Sequence, residues 1–215
     1  FIMDLLIASA TSTFLALFPI TNPFGVVPTF YTLTGDSTPT RRSHQARQVC
    51  INVVVVLTVA LIVGRFILNF FGLSIGALQI AGGLLLAQTA WSMVSAPDRS
   101  IFAETHRKTS QDDITLIPLA IPLISGPGAI GMVIGLATQS SHFIGYIGSL
   151  LGILGIGCLL YFCLMLGRPV ITVLGKPGLR AFTQILGFFI LAISIQLVTS
   201  GAFSLIQGFI SSLSA

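Results

Sequence analysis

Apolar residues occupy most of the chain in long runs, and polar residues are confined to a few short stretches between them. Runs close to or above the roughly 18 residues that a helix needs to cross a bilayer recur about six times. Their approximate ranges are 2–34, 49–71, 75–94, 114–138, 142–166 and 181–209. This pattern leaves no room for a soluble domain, so it predicts an all-α integral membrane protein in which residues 1–215 form one transmembrane domain.

Two of the six segments contain a motif that a helix cannot pass through. The first is TNPFG at 21–25, and the second is SGPGA at 125–129. Proline lacks an N–H group and crowds the preceding turn, so each motif is expected to end one helix. Asn22 followed by Pro23, and Gly126 followed by Pro127, are typical of a helix start. The sequence therefore predicts a broken helix at both places.

The two motifs also mark an internal repeat. When Pro23 is aligned with Pro127, LQIAGGLLLA at 78–87 falls within one residue of TQILGFFILA at 183–192, which pairs Gln79 with Gln184. Each half would contain three crossings, an odd number, so the second half would be inverted relative to the first. We therefore expect six transmembrane helices in two inverted three-helix repeats, at about 1–95 and 114–215. The charged stretch 96–113 would be a cytoplasmic linker.

The charges predict an orientation. The chain has 10 lysines and arginines against 6 acidic residues. Nine of those basic residues lie after the first, third and fifth segments, which places them on one side if all six segments cross the membrane. The positive-inside rule then puts these loops in the cytoplasm and both termini outside. Because topology explains the basic residues, we do not expect a nucleic-acid partner.

The groups exposed at a helix break determine which ligand it suits. A helix start presents free N–H groups and a partial positive charge, which suit a carboxylate. The end of the preceding helix presents unpaired carbonyls, which together with the side-chain oxygen of Asn22 suit an ammonium group or a small cation. A small neutral amino acid carries both charges. The candidate substrate-binding residues are Thr21, Asn22, Gly25, Gln79, Ser125, Gly126, Gly128 and Gln184.

Each candidate also has a purely structural interpretation. Asn22 could only cap a helix, and the Thr21 and Ser125 hydroxyls could bond to their own backbone. Gln79 and Gln184 could only join helices. The six acidic residues all lie at segment ends or in loops, so a buried carboxylate relay is not expected, and both a proton and sodium stay open as a coupling ion. No metal site, cofactor or catalytic residue is predicted, and the chain is not expected to be an enzyme.

Three stretches resemble a known family. LFPITNPFGVVPTFYTLT, IAGGLLLA and IPLAIPLISGPGAI are similar to segments of the MarC family of bacterial and archaeal inner-membrane proteins, which includes SnatA-type neutral amino acid transporters. The resemblance extends over essentially the whole chain. It implies a six-helix inverted repeat in the inner membrane that transports small neutral amino acids such as glycine or alanine. The second motif lacks an asparagine, so the two breaks need not contribute equally.

Two other functions fit parts of this pattern. A channel or facilitator for small neutral solutes is the main alternative, because paired half-helices at Asn-Pro steps resemble the NPA motifs of aquaporins. Here the motif opens each half instead of lying between its spans. A non-transporting membrane subunit is a further alternative, but it gives the two breaks no purpose. The sequence does not indicate the oligomeric state.

Overall fold

A computed structural model describes residues 2–35, 37–95, 125–139 and 143–213. This part of the chain is all-helical and contains no strand. Its helices are α1 (Ile2–Thr21), α2 (Pro23–Leu33), α3 (Pro39–Phe70), α4 (Ile75–Ser95), α5 (Pro127–Gln139), α6 (Phe143–Met165) and α7 (Gly167–Leu213). The expected all-α architecture is confirmed for the described residues. The predicted linker and the first part of the fourth segment, 96–124, lie outside them.

Five of these helices are long and apolar enough to cross a membrane, namely α1, α3, α4, α6 and the part of α7 at Pro177–Ile210. The remaining two, α2 and α5, are the short helices that begin at the two motifs. Large apolar side chains also lie on the outside of the bundle, as a lipid environment requires. Phe66 on α3 and Phe188 on α7 are examples, with 68% and 65% of their surface exposed.

Two stretches expected to be turns are helical for most of their length. α3 begins at Pro39, about ten residues before the apolar segment, because the Thr38 side chain accepts a hydrogen bond from the Arg41 N–H and Pro39 occupies the first turn. The basic residues at 41, 42 and 47 therefore lie on a helix. Residues 167–180, also expected to be a turn, are the start of α7. There the backbone departs from helical geometry only at Gly175, which has φ 62°.

Glycines allow the crossing helices to approach closely. α4 and α7 run antiparallel, and a Cβ atom on Gly76 would lie 2.7 Å from the carbonyl oxygen of Gly201. α1 packs on α6 in the same way at Gly152, where a Cβ would lie 2.6 Å from the carbonyl oxygen of Ala10. A buried hydrogen bond of 3.2 Å from the Thr13 hydroxyl to the Ser149 hydroxyl joins the same two helices. This small-residue packing is typical of membrane helices.

Both short helices pack on spans that are distant in sequence. α2 contacts α6 and α7, whereas α5 contacts α3 and α4. The end of α2 is bonded to α6, because the Tyr31 hydroxyl donates to the carbonyl of Leu164 over 3.2 Å. Arg42 lies over the Tyr31 ring at 4.9 Å and donates to the carbonyl of Thr34 over 2.9 Å. This guanidinium group therefore caps the carbonyl end of α2.

Candidate functional site: the helix break at Asn22

Asn22 ends α1 and begins α2. Its backbone is left-handed, with φ 41° and ψ 61°, a conformation that asparagine tolerates better than most residues. Its N–H group donates to the carbonyls of Phe18 and Pro19, both at 3.2 Å, which closes α1. Its side-chain oxygen accepts from the N–H of Gly25 over 3.1 Å, which caps α2. The predicted break and N-cap are thus both present at this residue.

The cap occupies the side-chain oxygen of Asn22, which was expected to suit an ammonium group. The amide NH₂ group of Asn22 is what remains for a ligand, and it is a donor that suits a carboxylate. In a continuous helix the N–H of Gly25 would bond to the carbonyl of Thr21. Here that N–H bonds to Asn22, so the Thr21 carbonyl loses its helical partner. The end of α1 can therefore offer a backbone acceptor.

Residue 25 must be glycine because the Asn22 side chain occupies the space next to it. A Cβ atom at residue 25 would lie 2.6 Å from Cγ of Asn22 and closer still to the amide nitrogen. Real Cβ contacts are not found at such distances, so any larger residue would displace the cap. Thr21 is buried and its hydroxyl donates to the Phe18 carbonyl over 3.3 Å. This is the bond to its own helix that the structural interpretation of Thr21 expects.

At the second motif the structure describes the start of α5 but not the helix expected before it. Gly126 precedes Pro127, and its carbonyl accepts from the N–H of Ile130 over 3.1 Å. Ser125 is completely buried, and its hydroxyl oxygen has no hydrogen-bond partner among the residues that the structure describes. This buried hydroxyl lies beside the start of α5 and is a polar group that can bind a small ligand.

Gly128 seats α5 directly on α4. A Cβ atom at residue 128 would lie 2.5 Å from Cγ of Leu86. One turn later, a Cβ atom on Gly131 would lie 3.7 Å from Cα of Gly82. Gln79 lies about 10 Å along α4 from Leu86. There it faces Gly201 on α7. Gln79 therefore lies where a residue that packs two helices together would lie. Gln184 is half-buried near the start of the crossing part of α7.

Aromatic side chains around the first break were not among the sequence candidates. Phe24 packs edge-to-face on Phe182 of α7, with ring centroids 4.9 Å apart, and on Phe18 of α1 at 6.5 Å. Only the position of Phe24 inside TNPFG could have drawn attention to them. Phenylalanine in an apolar segment carries no other signal of function.

Metal-binding residues do not gather in the described part of the chain, where no group of three or more His, Cys, Asp or Glu side chains could hold an ion. Hydroxyl, amide and backbone groups are therefore the polar groups that the described residues bring to the two motifs. This set can bind a small dipolar ligand through hydrogen bonds and helix ends.

Comparison with known proteins gives the family. A profile described as MarC family integral membrane protein matches residues 7–206. A UPF0056 membrane protein of Pyrococcus horikoshii is 38% identical over 201 residues, covering 89% of this chain and 95% of the relative. The UPF0056 membrane protein YhcE of Escherichia coli is 31% identical over 199 residues, covering 91% and 92%. No solved structure matches. The chain belongs to the MarC family of integral membrane proteins.

Proposed function

We propose that this protein is a secondary transporter that moves small neutral amino acids, of the size of glycine or alanine, across the inner membrane of a prokaryotic cell. The observation that carries the proposal is the helix break at Asn22. One residue closes α1, caps α2 and requires a glycine at 25, all within an apolar segment that composition alone would make one continuous helix. A break stabilised in this way exposes helix ends inside the membrane, where transporters bind substrates.

The helix contacts support a six-crossing inverted repeat. Under the alignment of Pro23 with Pro127, α2 corresponds to α5, α3 to α6 and α4 to α7. The contacts of α5 with α3 and α4 then correspond to those of α2 with α6 and α7. At residue level, a Cβ on Gly64 of α3 would meet Ile134 of α5, and a Cβ on Gly167 after α6 would meet Val27 of α2.

Backbone geometry supports the same repeat. The described glycines with positive φ are Gly72, at 64°, and Gly175, at 62°. They are 103 residues apart, close to the 104 that separate Pro23 from Pro127. Gly72 lies in the turn before α4, and Gly175 lies before the part of α7 that crosses the membrane. The two glycines therefore hold matching positions in the two proposed halves.

The chemistry of the break favours a zwitterion over an ion. Asn22 supplies an amide donor, the start of α5 supplies N–H groups beside Ser125, and the end of α1 supplies the Thr21 carbonyl. These groups match a carboxylate and an ammonium without any ionic side chain. Gly25, Gly126 and Gly128 let the backbone approach a ligand closely. The proposal includes cytoplasmic basic loops, both termini outside, and coupling to either a proton or a sodium gradient.

The test is flux in proteoliposomes that contain the purified protein. Labelled glycine or alanine should enter in a saturable way and exchange against unlabelled substrate inside, and imposed proton and sodium gradients should identify any coupled ion. Protein-free liposomes provide the background. Flux that does not saturate and shows no exchange would indicate the channel alternative. If no neutral amino acid moves under any gradient, the substrate assignment is wrong.

A further inference from the structure

We infer that Phe24 and Phe182 form a gate between the break at Asn22 and the side of the membrane on which α7 begins. The inference rests on the proposed function, because a gate has a purpose only if the break holds a ligand. Phe24 is the second residue of α2, and Phe182 lies five residues after Pro177, where the crossing part of α7 starts. Their rings meet edge-to-face at 4.9 Å with an interplanar angle of 76°.

Phe24 is held from both sides of the break. Its ring also meets Phe18 of α1 at 6.5 Å and 76°, and Phe18 stacks on Phe14 at 6.4 Å. A continuous row of rings therefore passes from α1 across the break to α7. Phe18, Phe24 and Phe182 are each only half-buried. Side chains with this exposure can change rotamer without separating the helices that carry them.

The second motif is closed in a different way. Aligning Pro23 with Pro127 places Gly128 opposite Phe24, and aligning Gln79 with Gln184 places Ala77 opposite Phe182. The repeat-related pair, Gly128 and Ala77, therefore has no ring at either position. Instead, α5 lies directly on Leu86, with a Cβ on Gly128 excluded by Cγ of that leucine at 2.5 Å. Leu86 is buried, so its side chain has little room to move, whereas Phe24 and Phe182 are half-buried and their contact opens if one ring rotates.

The functional consequence is that access to the break is controlled unequally from the two sides. On the α7 side, the ring pair sets how often water and ligand reach Asn22. An aromatic pair of this geometry shifts the equilibrium between the closed and open arrangements by up to about tenfold. Removing one ring should therefore raise the fraction of time that Asn22 is accessible by up to that factor. On the opposite side, access should not respond to these residues.

A thiol-accessibility experiment tests the gate without requiring transport. In a background with Cys50, Cys158 and Cys163 replaced by alanine, the substitution Thr21→Cys places one reporter next to Asn22. A membrane-impermeant methanethiosulfonate reagent is then added to right-side-out and to inverted vesicles. Phe182→Ala and Phe24→Ala should each raise the labelling rate up to about tenfold from the α7 side alone.

Phe188→Ala is the matched control, because it removes the same side chain from the same helix at a position exposed to lipid. It should leave the labelling rate unchanged. Phe182→Leu, which keeps apolar bulk, serves if the alanine variant is not monodisperse in detergent, and it should give a smaller increase. An unchanged rate in the Phe182 variants, or an equal rise from both sides, would overturn the gate.

Transport and labelling separate the two hypotheses. If labelling responds as expected but the unmodified protein moves no amino acid, the gate stands and the proposed function fails. If the unmodified protein transports amino acids and the labelling rate does not respond, the gate alone fails.

Discussion

The side-chain oxygen of Asn22 accepts a hydrogen bond from the backbone N–H of Gly25 over 3.1 Å, and it does so from a left-handed residue. A side chain at residue 25 would occupy the space of the Asn22 amide. The two residues therefore act as one unit that separates α1 from α2. Substitutions at residues 22 and 25 can change the backbone geometry, the cap and the amide one at a time. They can therefore test what the break contributes.

The first prediction concerns Asn22 itself. Asn22→Ala removes both the cap and the amide donor and should abolish transport. Because residue 22 is left-handed, alanine should also destabilise the protein by about 2 kcal/mol, through the lost cap and the strained backbone. Asn22→Gly keeps the backbone relaxed and should destabilise it by less than about 1 kcal/mol.

Both variants should lose transport if the amide contacts the substrate. The measurements are the free energy of unfolding in detergent and the initial rate of alanine uptake. Normal uptake by a folded Asn22→Gly protein would show that Asn22 serves only to shape the break.

The second prediction concerns Gly25. Gly25→Ala should displace the Asn22 amide and destabilise the protein by about 1–3 kcal/mol, the usual effect of overpacking. The matched control is Gly208→Ala on α7, an exposed helical glycine where a Cβ would have no described neighbour within 4 Å. Alanine there should be neutral or stabilising by up to about 1 kcal/mol through helix propensity. Equal unfolding midpoints for the two variants would contradict the contact seen at Gly25.

The third prediction concerns the contact of Gly128 with Leu86. Gly128→Ala should destabilise the protein because its methyl group enters the space of the leucine side chain. Combining it with Leu86→Ala should give a double variant that is more stable, by about 1 kcal/mol or more, than the sum of the single effects. Gly131→Ala, whose Cβ would lie 3.7 Å from Gly82 Cα, is the control and should be tolerated. Additive effects at 86 and 128 would argue against direct contact.

The fourth prediction concerns Ser125. Ser125→Ala removes a buried hydroxyl that has no partner among the described residues, so stability should stay the same or rise by up to about 1 kcal/mol. Uptake should fall about tenfold or more, because a hydrogen bond to a charged substrate group contributes roughly 1.5–3 kcal/mol.

Ser194→Ala on α7 is the matched control for Ser125. Ser194 is equally buried, but its hydroxyl donates to the Leu191 carbonyl over 2.6 Å. Uptake should be unaffected by this change. Unchanged uptake by Ser125→Ala would remove this residue from the proposed site.

Local chemistry explains which features could be predicted from the sequence. Asparagine adopts the left-handed conformation easily and caps a helix, and proline favours a first helical turn, so the break at Asn22 was predicted correctly. α4 lies within one residue of its predicted range. The start of α3 was wrong because hydropathy shows where a helix enters the membrane, whereas the cap at Thr38 determines where the helix begins. The bend at Gly175 lies within the stretch 167–180 that was expected to be a turn, but the chain is helical on both sides of it.

Contacts between helices could not be predicted in this way. Leucine at 86 and phenylalanine at 182 are ordinary residues for an apolar segment, and only the packing of α4, α5 and α7 brings them to the two motifs. The sequence predicted an N-cap at Asn22 but also assigned its oxygen to a possible ligand, and the structure shows the cap. The residue types permitted that bond, but whether the oxygen caps a helix or faces a ligand depends on the backbone angle at residue 22.

Both pieces of the broken helix are attached to α6. α1 lies against it at Gly152 and through the bond from Thr13 to Ser149, whereas α2 is tied to its end through Tyr31 and the carbonyl of Leu164. Bending the chain at residue 22 would have to break one of these attachments. We therefore expect α1, α2 and α6 to travel together as one rigid body during any transport cycle, with the sliding surfaces located on α4, α5 and α7.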